Sequence, residues 1–250
     1  MNVDVMPGCE DFSANGSAMG VLVLHGFTGN PASMRSIAQR CANAGYTVEL
    51  PRLPGHGTSI EDMMTTTWAD WSGAALAAYD DVASRTERVA VVGLSMGGGL
   101  AAYVAEERRE VAGCVFINPL VQSPGPEMEA GLAQLIEAGV ESIESIGSDI
   151  KKEGISEASY SATPLGCVAS LFDGVKSVRA NLSKIVAPSL LLSSREDHVV
   201  TSDNGDAIVE RSSGPVERLW LEESYHVATM DNDQEALERA TMEFLAKVLV

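Results

Sequence analysis

Short apolar runs alternate with helical patterns along most of this chain, and that alternation restricts the folds it can adopt. The runs that predict strands cover residues 21–24, 46–50, 88–92, 111–118, 189–193 and 217–221. Helices are predicted from about residue 30 to 44, over 68–84 and 97–107, and from about 233 onward. Strands and helices that alternate in this way are typical of a mostly parallel sheet with helices on both faces. The sequence therefore predicts an α/β fold.

One long segment, from about residue 120 to 164, interrupts the alternation. It has no strand signal, but Met128, Leu132, Leu135 and Ile136 recur at helical spacing. Such an insertion is either a cap over a site or a flexible surface loop, and its apolar content favours the cap, because long unpacked loops are uncommon. We therefore expect one domain over residues 1–250 with a cap insertion at about 120–164.

The charge balance excludes some classes of partner. The chain has 17 Lys and Arg against 35 Asp and Glu, a formal net charge of -18. Such a surface repels phosphate backbones and anionic bilayers, so nucleic-acid binding is not expected, and no basic run is present to anchor the chain on a membrane. The simplest interpretation of the negative charge is a well-solvated protein surface.

The cysteines and the first residues bear on the compartment. The four cysteines (Cys9, Cys41, Cys114 and Cys167) lie far apart and form no CxxC pair, which argues against a zinc site and against a disulfide framework. Residues 1–12 show neither the basic nor the apolar region of a secretory signal. We expect a cytoplasmic protein with no metal site.

The sequence Gly93-Leu94-Ser95-Met96-Gly97 matches the G-x-S-x-G pattern. The pattern alone is weak, but here a predicted strand enters it and a predicted helix leaves it. A serine on such a tight turn needs small neighbours two positions away, because its own backbone is strained. This context favours a nucleophilic Ser95 over a glycine-rich turn without chemistry.

A serine hydroxyl needs a base, and the base needs an orienting acid. On a strand–serine–helix turn of this type the acid and then the histidine follow the serine in the chain. Of the four histidines, His25 and His56 precede Ser95 and are expected to brace their loops. His198 is adjacent to the best acid candidate, Asp197, and adjacent residues seldom face each other. His226 is therefore the predicted base and Asp197 the predicted acid, with Glu196, Asp203 and Asp206 as rivals for the acid.

An oxyanion needs two backbone donors. One is expected from Met96, the residue after the nucleophile, and the other from the loop after the first parallel strand, which favours Phe27.

Five motifs occur in order along the chain and carry a family resemblance. They are Leu24-His25-Gly26-Phe27-Thr28-Gly29-Asn30, Pro51-Arg52-Leu53-Pro54-Gly55-His56-Gly57, Gly93-Leu94-Ser95-Met96-Gly97-Gly98, Glu196-Asp197-His198-Val199-Val200 and Tyr225-His226-Val227-Ala228-Thr229. Together they resemble the α/β-hydrolases of the serine esterase branch, in particular bacterial monoacylglycerol lipases and small carboxylesterases. The similarity extends from about Gly20 to the C-terminus and includes Ser145-Ile146-Gly147-Ser148-Asp149 in the predicted cap.

The resemblance implies an α/β-hydrolase fold, a Ser95–Asp197–His226 triad with Phe27 and Met96 as oxyanion donors, and no cofactor. It also implies a cap over an apolar acyl channel with a narrower exit for the alcohol. Around that channel we assign Asn118, Leu120, Ser123 and Glu137 as acyl or glycerol contacts. For Glu137 the alternative is a solvated helix face.

The expected substrate is a lipid carboxylic ester, a monoacylglycerol in particular. A general short- or medium-chain carboxylesterase, a thioesterase and a ligand-sensing protein with slow turnover remain as alternatives. The apolar cap helix is expected either to contact micelles or membranes transiently or to form a dimer contact, so a monomer and a homodimer both remain open.

Overall fold

The computed structural model describes residues 4–145 and 147–250, and within them a central sheet of seven strands carries the fold. Residues 1–3 and 146 of the predicted domain lie outside the described part. The strands, in chain order, are β1 (Phe12–Ala14), β2 (Met19–Leu24), β3 (Thr47–Leu50), β4 (Arg88–Leu94), β5 (Gly113–Ile117), β6 (Ser142–Glu144), β7 (Ala162–Pro164), β8 (Ser189–Ser194) and β9 (Val216–Leu221). The helices are α1 (Arg35–Asn43), α2 (Ile60–Met63), α3 (Trp68–Arg85), α4 (Met96–Glu107), α5 (Pro126–Glu137), α6 (Leu165–Asn181), α7 (Asp203–Arg211) and α8 (Gln234–Val248).

The main sheet has the strand order β1-β3-β2-β4-β5-β8-β9. All its neighbouring strands are parallel except β1, which pairs antiparallel with β3. The chain runs outward from β2 to β3 and then returns to place β4 on the other side of β2. Loops that leave the carboxyl ends of two such strands diverge and open a crevice, which is where open α/β sheets bind ligands. The sheet therefore positions a site at the ends of β2 and β4.

Two apolar clusters cover the two faces of the sheet, and the period-2 alternation of the strands feeds both. In β2, Leu22 and Leu24 join the cluster that contains α3, α4 and α6, whereas Val21 and Val23 join the cluster that contains α1 and α8. This arrangement confirms the prediction of a mostly parallel sheet with helices on both faces. The four cysteines are buried and free.

The segment 120–164 differs from the prediction in one respect. It contains the two short strands β6 and β7, which pair antiparallel, so the expectation that it holds no strand was wrong. Each strand is three residues long, and a pattern of that length is too short to show alternation.

Three helices were missed by the sequence analysis, α2, α6 and α7. In α6 the glycine at 174 lies against the ring of Trp68, where an added Cβ would come within 2.1 Å of a ring carbon. Packing against α3 therefore explains a glycine that sequence rules count against a helix. No helix within the described residues is both long enough and apolar enough to cross a membrane.

Candidate active site

Ser95 occupies a strained turn between β4 and α4. Its φ is +57°, in the left-handed region that side chains other than glycine rarely adopt. A Cβ on Gly93 would lie 2.0 Å from the carbonyl oxygen of Gly97, and a Cβ on Gly97 would lie 2.2 Å from that of Leu24. Only glycine fits at both positions, which explains why the turn has the G-x-S-x-G pattern.

The loop after β2 passes directly beside Ser95. A Cβ built on Gly26 would lie 3.4 Å from the Cβ of Ser95. Phe27 follows and is half-buried, with its ring 5.6 Å from the ring of Trp71. Met96 is the first residue of α4, and the first N–H groups of a helix lack a carbonyl partner within it. The two predicted oxyanion donors therefore lie on segments that flank Ser95.

The structure brings Asp197 and His226 together at the same edge of the sheet. Nδ1 of His226 lies 2.8 Å from Oδ2 of Asp197, and both side chains are buried. The other carboxylate oxygen of Asp197 accepts the backbone N–H groups of Val199 and Val200 at 2.9 and 2.7 Å. These contacts fix the carboxylate, so Nδ1 of His226 is the donor and Nε2 is left as the basic nitrogen.

The rival acids are engaged elsewhere. Glu196 is exposed and pairs with Lys151. Asp203 contacts Gln122 and Thr201, and Asp206 pairs with Arg218.

The other three histidines have contacts of their own. His198 is exposed, and its Nδ1 lies 2.8 Å from Asp149. His25 is fully buried; its Nδ1 bonds to the carbonyl of Gly26 and its Nε2 accepts the N–H of Leu53. His56 bonds to the carbonyl of Pro54. Burial lowers the pKa of His25 to about 3 and that of His56 to about 4. Both rings are therefore neutral at neutral pH and brace their loops.

The segment that follows β5 links Ser95 to the His226 loop. The N–H of Ser95 donates to Ile117, and its carbonyl accepts from Leu120. Between them, the amide of Asn118 donates to the carbonyl of His226 at 2.8 Å and to Ser194 at 2.9 Å. These bonds use both amide hydrogens of Asn118, which the sequence analysis assigned as an acyl or glycerol contact. They fix the His226 loop against the end of β8.

The remaining predicted substrate contacts are spread along the segment 120–164. Leu120 is half-buried against the core, near Ser95. Ser123 is half-buried beside Glu129, whose pKa is lowered by hydrogen bonds from Lys176 and then from Ser123. Glu137 is exposed at the end of α5, the position that the solvated-face alternative requires. The structure therefore groups Leu120 with the site and leaves Glu137 in solvent.

Sequence reasoning missed Glu157. A Cβ on Gly29 would lie 2.6 Å from its Oε1, so the carboxylate lies against the loop after β2. Burial raises the pKa of Glu157, while a hydrogen bond with Ser33 and the charge of His226 oppose that rise. The only available sequence signal was the position of Glu157 in a glycine- and serine-rich stretch of the segment, which does not distinguish it from the other glutamates there.

The segment is fastened to the body of the protein near the same loop. The amide of Asn30 donates to the carbonyl of Ala158. The hydroxyl of Tyr160 donates to the carbonyl of Gly55 at 2.7 Å and accepts the N–H of Thr58 at 2.9 Å. Residues 157–160 therefore cover the loops that surround Ser95.

A serine on a strand-to-helix turn, a histidine bonded to a buried aspartate, and backbone donors beside the serine define the class of the protein. On a mostly parallel sheet with this strand order, they are the features of an α/β-hydrolase.

Comparisons with known proteins name the family. The family model described as "Serine aminopeptidase, S33" (Hydrolase_4) matches residues 17–233, and the chain belongs to this family. It is 43% identical over 247 residues to a thermostable monoacylglycerol lipase of Bacillus sp. (strain H-257), which covers 97% of this chain and 96% of that protein. It is also 28% identical over 244 residues to a carboxylesterase of Bacillus subtilis (strain 168), with 96% of this chain and 97% of that one covered.

Solved structures agree with this assignment. A structure from work on the metagenome-derived lipolytic enzymes LipS and LipT superposes with a TM-score of 0.93 at 41% identity, covering 98% of this chain and 100% of that one. The monoacylglycerol lipase of Paleococcus ferrophilus superposes with a TM-score of 0.73 at 19% identity, covering 99% of both chains, and shows the shared fold. The predicted resemblance to α/β-hydrolase serine esterases is thereby confirmed.

Proposed function

We propose that this protein is a cofactor-independent serine hydrolase that cleaves monoacylglycerols to glycerol and a free fatty acid. The observation that carries the proposal is Ser95 on its strained turn at the sheet edge where His226 is bonded to Asp197. The 43% identical relative, named as a monoacylglycerol lipase, supports the choice of substrate.

In the proposed mechanism, Oγ of Ser95 attacks the ester carbonyl while Nε2 of His226 takes its proton. Asp197 accepts the hydrogen bond from Nδ1 and stabilises the imidazolium. The N–H groups of Phe27 and Met96 hold the oxyanion of the tetrahedral intermediate. The intermediate collapses as His226 protonates the leaving glycerol oxygen, which leaves an acyl group on Ser95. Water, deprotonated by the same histidine, then releases the fatty acid.

Glu157 supports a reaction in which the alcohol is recognised. His226 must lie beside the leaving oxygen, and Glu157 is close enough for the two charges to interact. A carboxylate between the base and the loop after β2 faces the alcohol side of the reaction. There it accepts a hydrogen bond from a free hydroxyl of glycerol, which a simple ester lacks.

The segment 120–164 is proposed to act as a cap that meets lipid. In α5 no residue is buried, and the fractional exposures of Met128, Leu135 and Ile136 are 62%, 42% and 38%. An exposed apolar helix beside a lipase site favours transient contact with a micelle or bilayer. Pairing of two copies would cover the same face, and sedimentation of the lipid-free protein distinguishes the two arrangements.

The test is a set of initial rates with one acyl chain and different leaving groups. 1-Octanoylglycerol, p-nitrophenyl octanoate, octanoyl-CoA and, for the family description, leucine p-nitroanilide are compared on the wild type and on Ser95→Ala. A higher kcat/KM for the monoacylglycerol, abolished in Ser95→Ala, is the expected result. Activity of Ser95→Ala above a few per cent of the wild type contradicts the triad.

Glu157→Gln tests the alcohol side separately. Gln keeps an oxygen that accepts from a hydroxyl but removes the charge, which lowers the value of the hydrogen bond by about 1–1.5 kcal/mol, so kcat/KM for octanoylglycerol should fall about 5- to 10-fold more than kcat/KM for the p-nitrophenyl ester. Equal losses on both esters would leave a general carboxylesterase, the function named for the 28% identical relative, as the better description.

A further inference from the structure

One carboxylate of the segment 120–164, the proposed cap, accepts hydrogen bonds from the backbone of two loops of the site. Oδ2 of Asp149 accepts the backbone N–H of His226 at 3.1 Å and that of His198 at 3.2 Å. The carbonyl of Asp149 also accepts the N–H of Val227 at 3.1 Å. His226 lies in the loop between β9 and α8 (residues 222–233), which we call the base loop, and His198 lies in the loop between β8 and α7 (residues 195–202), which we call the acid loop. Asp149 therefore joins both.

A second buried carboxylate reinforces this connection. Asp231 is 1% exposed and accepts backbone N–H groups from both sides of the contact. Two come from the cap segment, Lys151 at 2.7 Å and Lys152 at 2.8 Å. Two come from the base loop, Tyr225 at 2.9 Å and Asn232 at 2.7 Å. The short stretch 149–152 is therefore bonded to the base loop at both of its ends.

We propose that Asp149 is a positioning residue, which holds the base loop and the acid loop in the relative placement that the His226–Asp197 hydrogen bond requires. This inference rests on the proposed Ser95–Asp197–His226 triad. The 2.8 Å contact of the triad joins two loops that follow different strands, and Asp149 accepts backbone N–H groups from both of them. Asp149 acts through the backbone of His226 and needs no contact with the substrate.

The charge of Asp149 also has a partner that titrates. Nδ1 of His198 lies 2.8 Å from Oδ1 of Asp149, and the side chain of His198 is 61% exposed. The groups that face His198 are Asp149, Asp197, Glu196 and the ring of Tyr225, whose centre is 4.6 Å away. Its hydrogen bond with Asp149 raises the pKa of His198. Protonated His198 therefore offsets the negative charge that Asp149 places beside His226.

Two substitutions should shift the pH profile in opposite directions. Asp149→Asn keeps an oxygen for the backbone N–H groups but removes a negative charge near His226, so the acid limb of kcat/KM moves to lower pH. His198→Gln removes a positive charge, so the acid limb moves to higher pH. A merely structural role predicts neither shift.

The size of the effect is measured with Asp149→Ala, which removes both the charge and the acceptor. Misplacement of a catalytic group by about 1 Å costs about 10²-fold, so kcat should fall about 10- to 100-fold with KM changed less than about twofold. Glu196→Gln is the matched control, because it removes a nearby exposed carboxylate that pairs with Lys151, and it should keep the wild-type kcat.

A proton NMR signal provides a readout that does not depend on the substrate. The downfield Nδ1–H resonance of His226 should be present in the wild type and Glu196→Gln, and broadened or lost in Asp149→Ala. Wild-type kcat, pH profile and resonance in both Asp149 variants, or equal losses in Glu196→Gln, overturn the proposal. If Asp149→Ala does not fold, Asp149→Asn and His198→Gln decide by their opposite shifts. Residual activity of Ser95→Ala would instead refute the triad itself, and so separates the two failures.

Discussion

Burial of one carboxyl on α4 makes the stability of this protein depend on pH at neutrality. Glu106 is 6% exposed, and its Oε1 has no hydrogen-bond partner. Burial raises the pKa of Glu106 from 4.5 to about 8, against the opposing charge of Lys184. Folded protein therefore holds a proton that the unfolded chain releases above pH 4.5, so stability falls as the pH rises between 4.5 and about 8.

The magnitude follows from the width of that window. Each pH unit between the two pKa values lowers the free energy of unfolding by about 1.4 kcal/mol. The free energy of unfolding is therefore lower by about 3 kcal/mol at pH 7 and by about 5 kcal/mol above pH 8. Glu106→Gln removes the titrating group and keeps its shape. Relative to the wild type, its free energy of unfolding should be unchanged near pH 4.5 and higher by those amounts at the higher pH values.

The assay is urea unfolding, followed by tryptophan fluorescence, at each pH unit from 5 to 9. The matched control is Glu107→Gln, because Glu107 is the next residue on the helix and is exposed. It should stay within about 0.5 kcal/mol of the wild type throughout. The reasoning is refuted if the two variants behave alike, or if the gain from Glu106→Gln is the same at pH 5 and pH 8. Because Glu106 lies outside the proposed site, kcat at pH 7 should be unchanged.

Three further predictions follow from packing and hydrogen bonding. Gly97→Ala should abolish activity and reduce the folded yield, because its Cβ would lie 2.2 Å from the carbonyl oxygen of Leu24 in β2. Gly131 lies in α5 with open space around it, so Gly131→Ala should raise the free energy of unfolding by about 0.5–1 kcal/mol. Activity assays and urea unfolding measure both variants. Tyr160→Phe leaves the N–H of Thr58 and a carbonyl without their partner, so urea unfolding should show a loss of about 1–3 kcal/mol. Asn118→Ala frees the carbonyl of His226, so kcat should fall about 10-fold with KM nearly unchanged, as a substrate-saturation series measures.

The parts of the site that sequence reasoning reached depend on local constraints. The turn around Ser95 is read from five consecutive residues, because steric limits at Gly93 and Gly97 act within the motif itself. The choice of His226 needed only the chain order and four histidines, and the structure places it 2.8 Å from Asp197. The expectation that His25 and His56 brace their loops also agrees with the structure, because the ring nitrogens of both residues bond to nearby backbone groups.

The parts that sequence reasoning missed depend on contacts between distant segments. Pairing of β6 with β7 brings together three-residue strands about 20 positions apart, and neither strand has a periodic pattern. In α6, Gly174 lowers helix propensity, but the ring of Trp68 occupies the space that a side chain would need. Asn118 was assigned as an acyl or glycerol contact, and the bond from its amide to a loop more than 100 residues later was not foreseen. In each case the tertiary neighbour decides the role, and the local sequence does not contain it.

The acidic residues show most clearly that roles set by tertiary contacts cannot be predicted from local sequence. Their number predicts a well-solvated surface, but Asp149, Asp197 and Asp231 are used inside the site as acceptors for backbone N–H groups. A carboxylate has two oxygens and accepts several backbone N–H groups at once. The three aspartates share no motif, since Asp149 lies in the segment 120–164, Asp197 in the loop after β8 and Asp231 in the loop after β9. Net charge therefore describes the surface of this protein and gives no sign of the carboxylates that accept backbone N–H groups from the loops after β8 and β9.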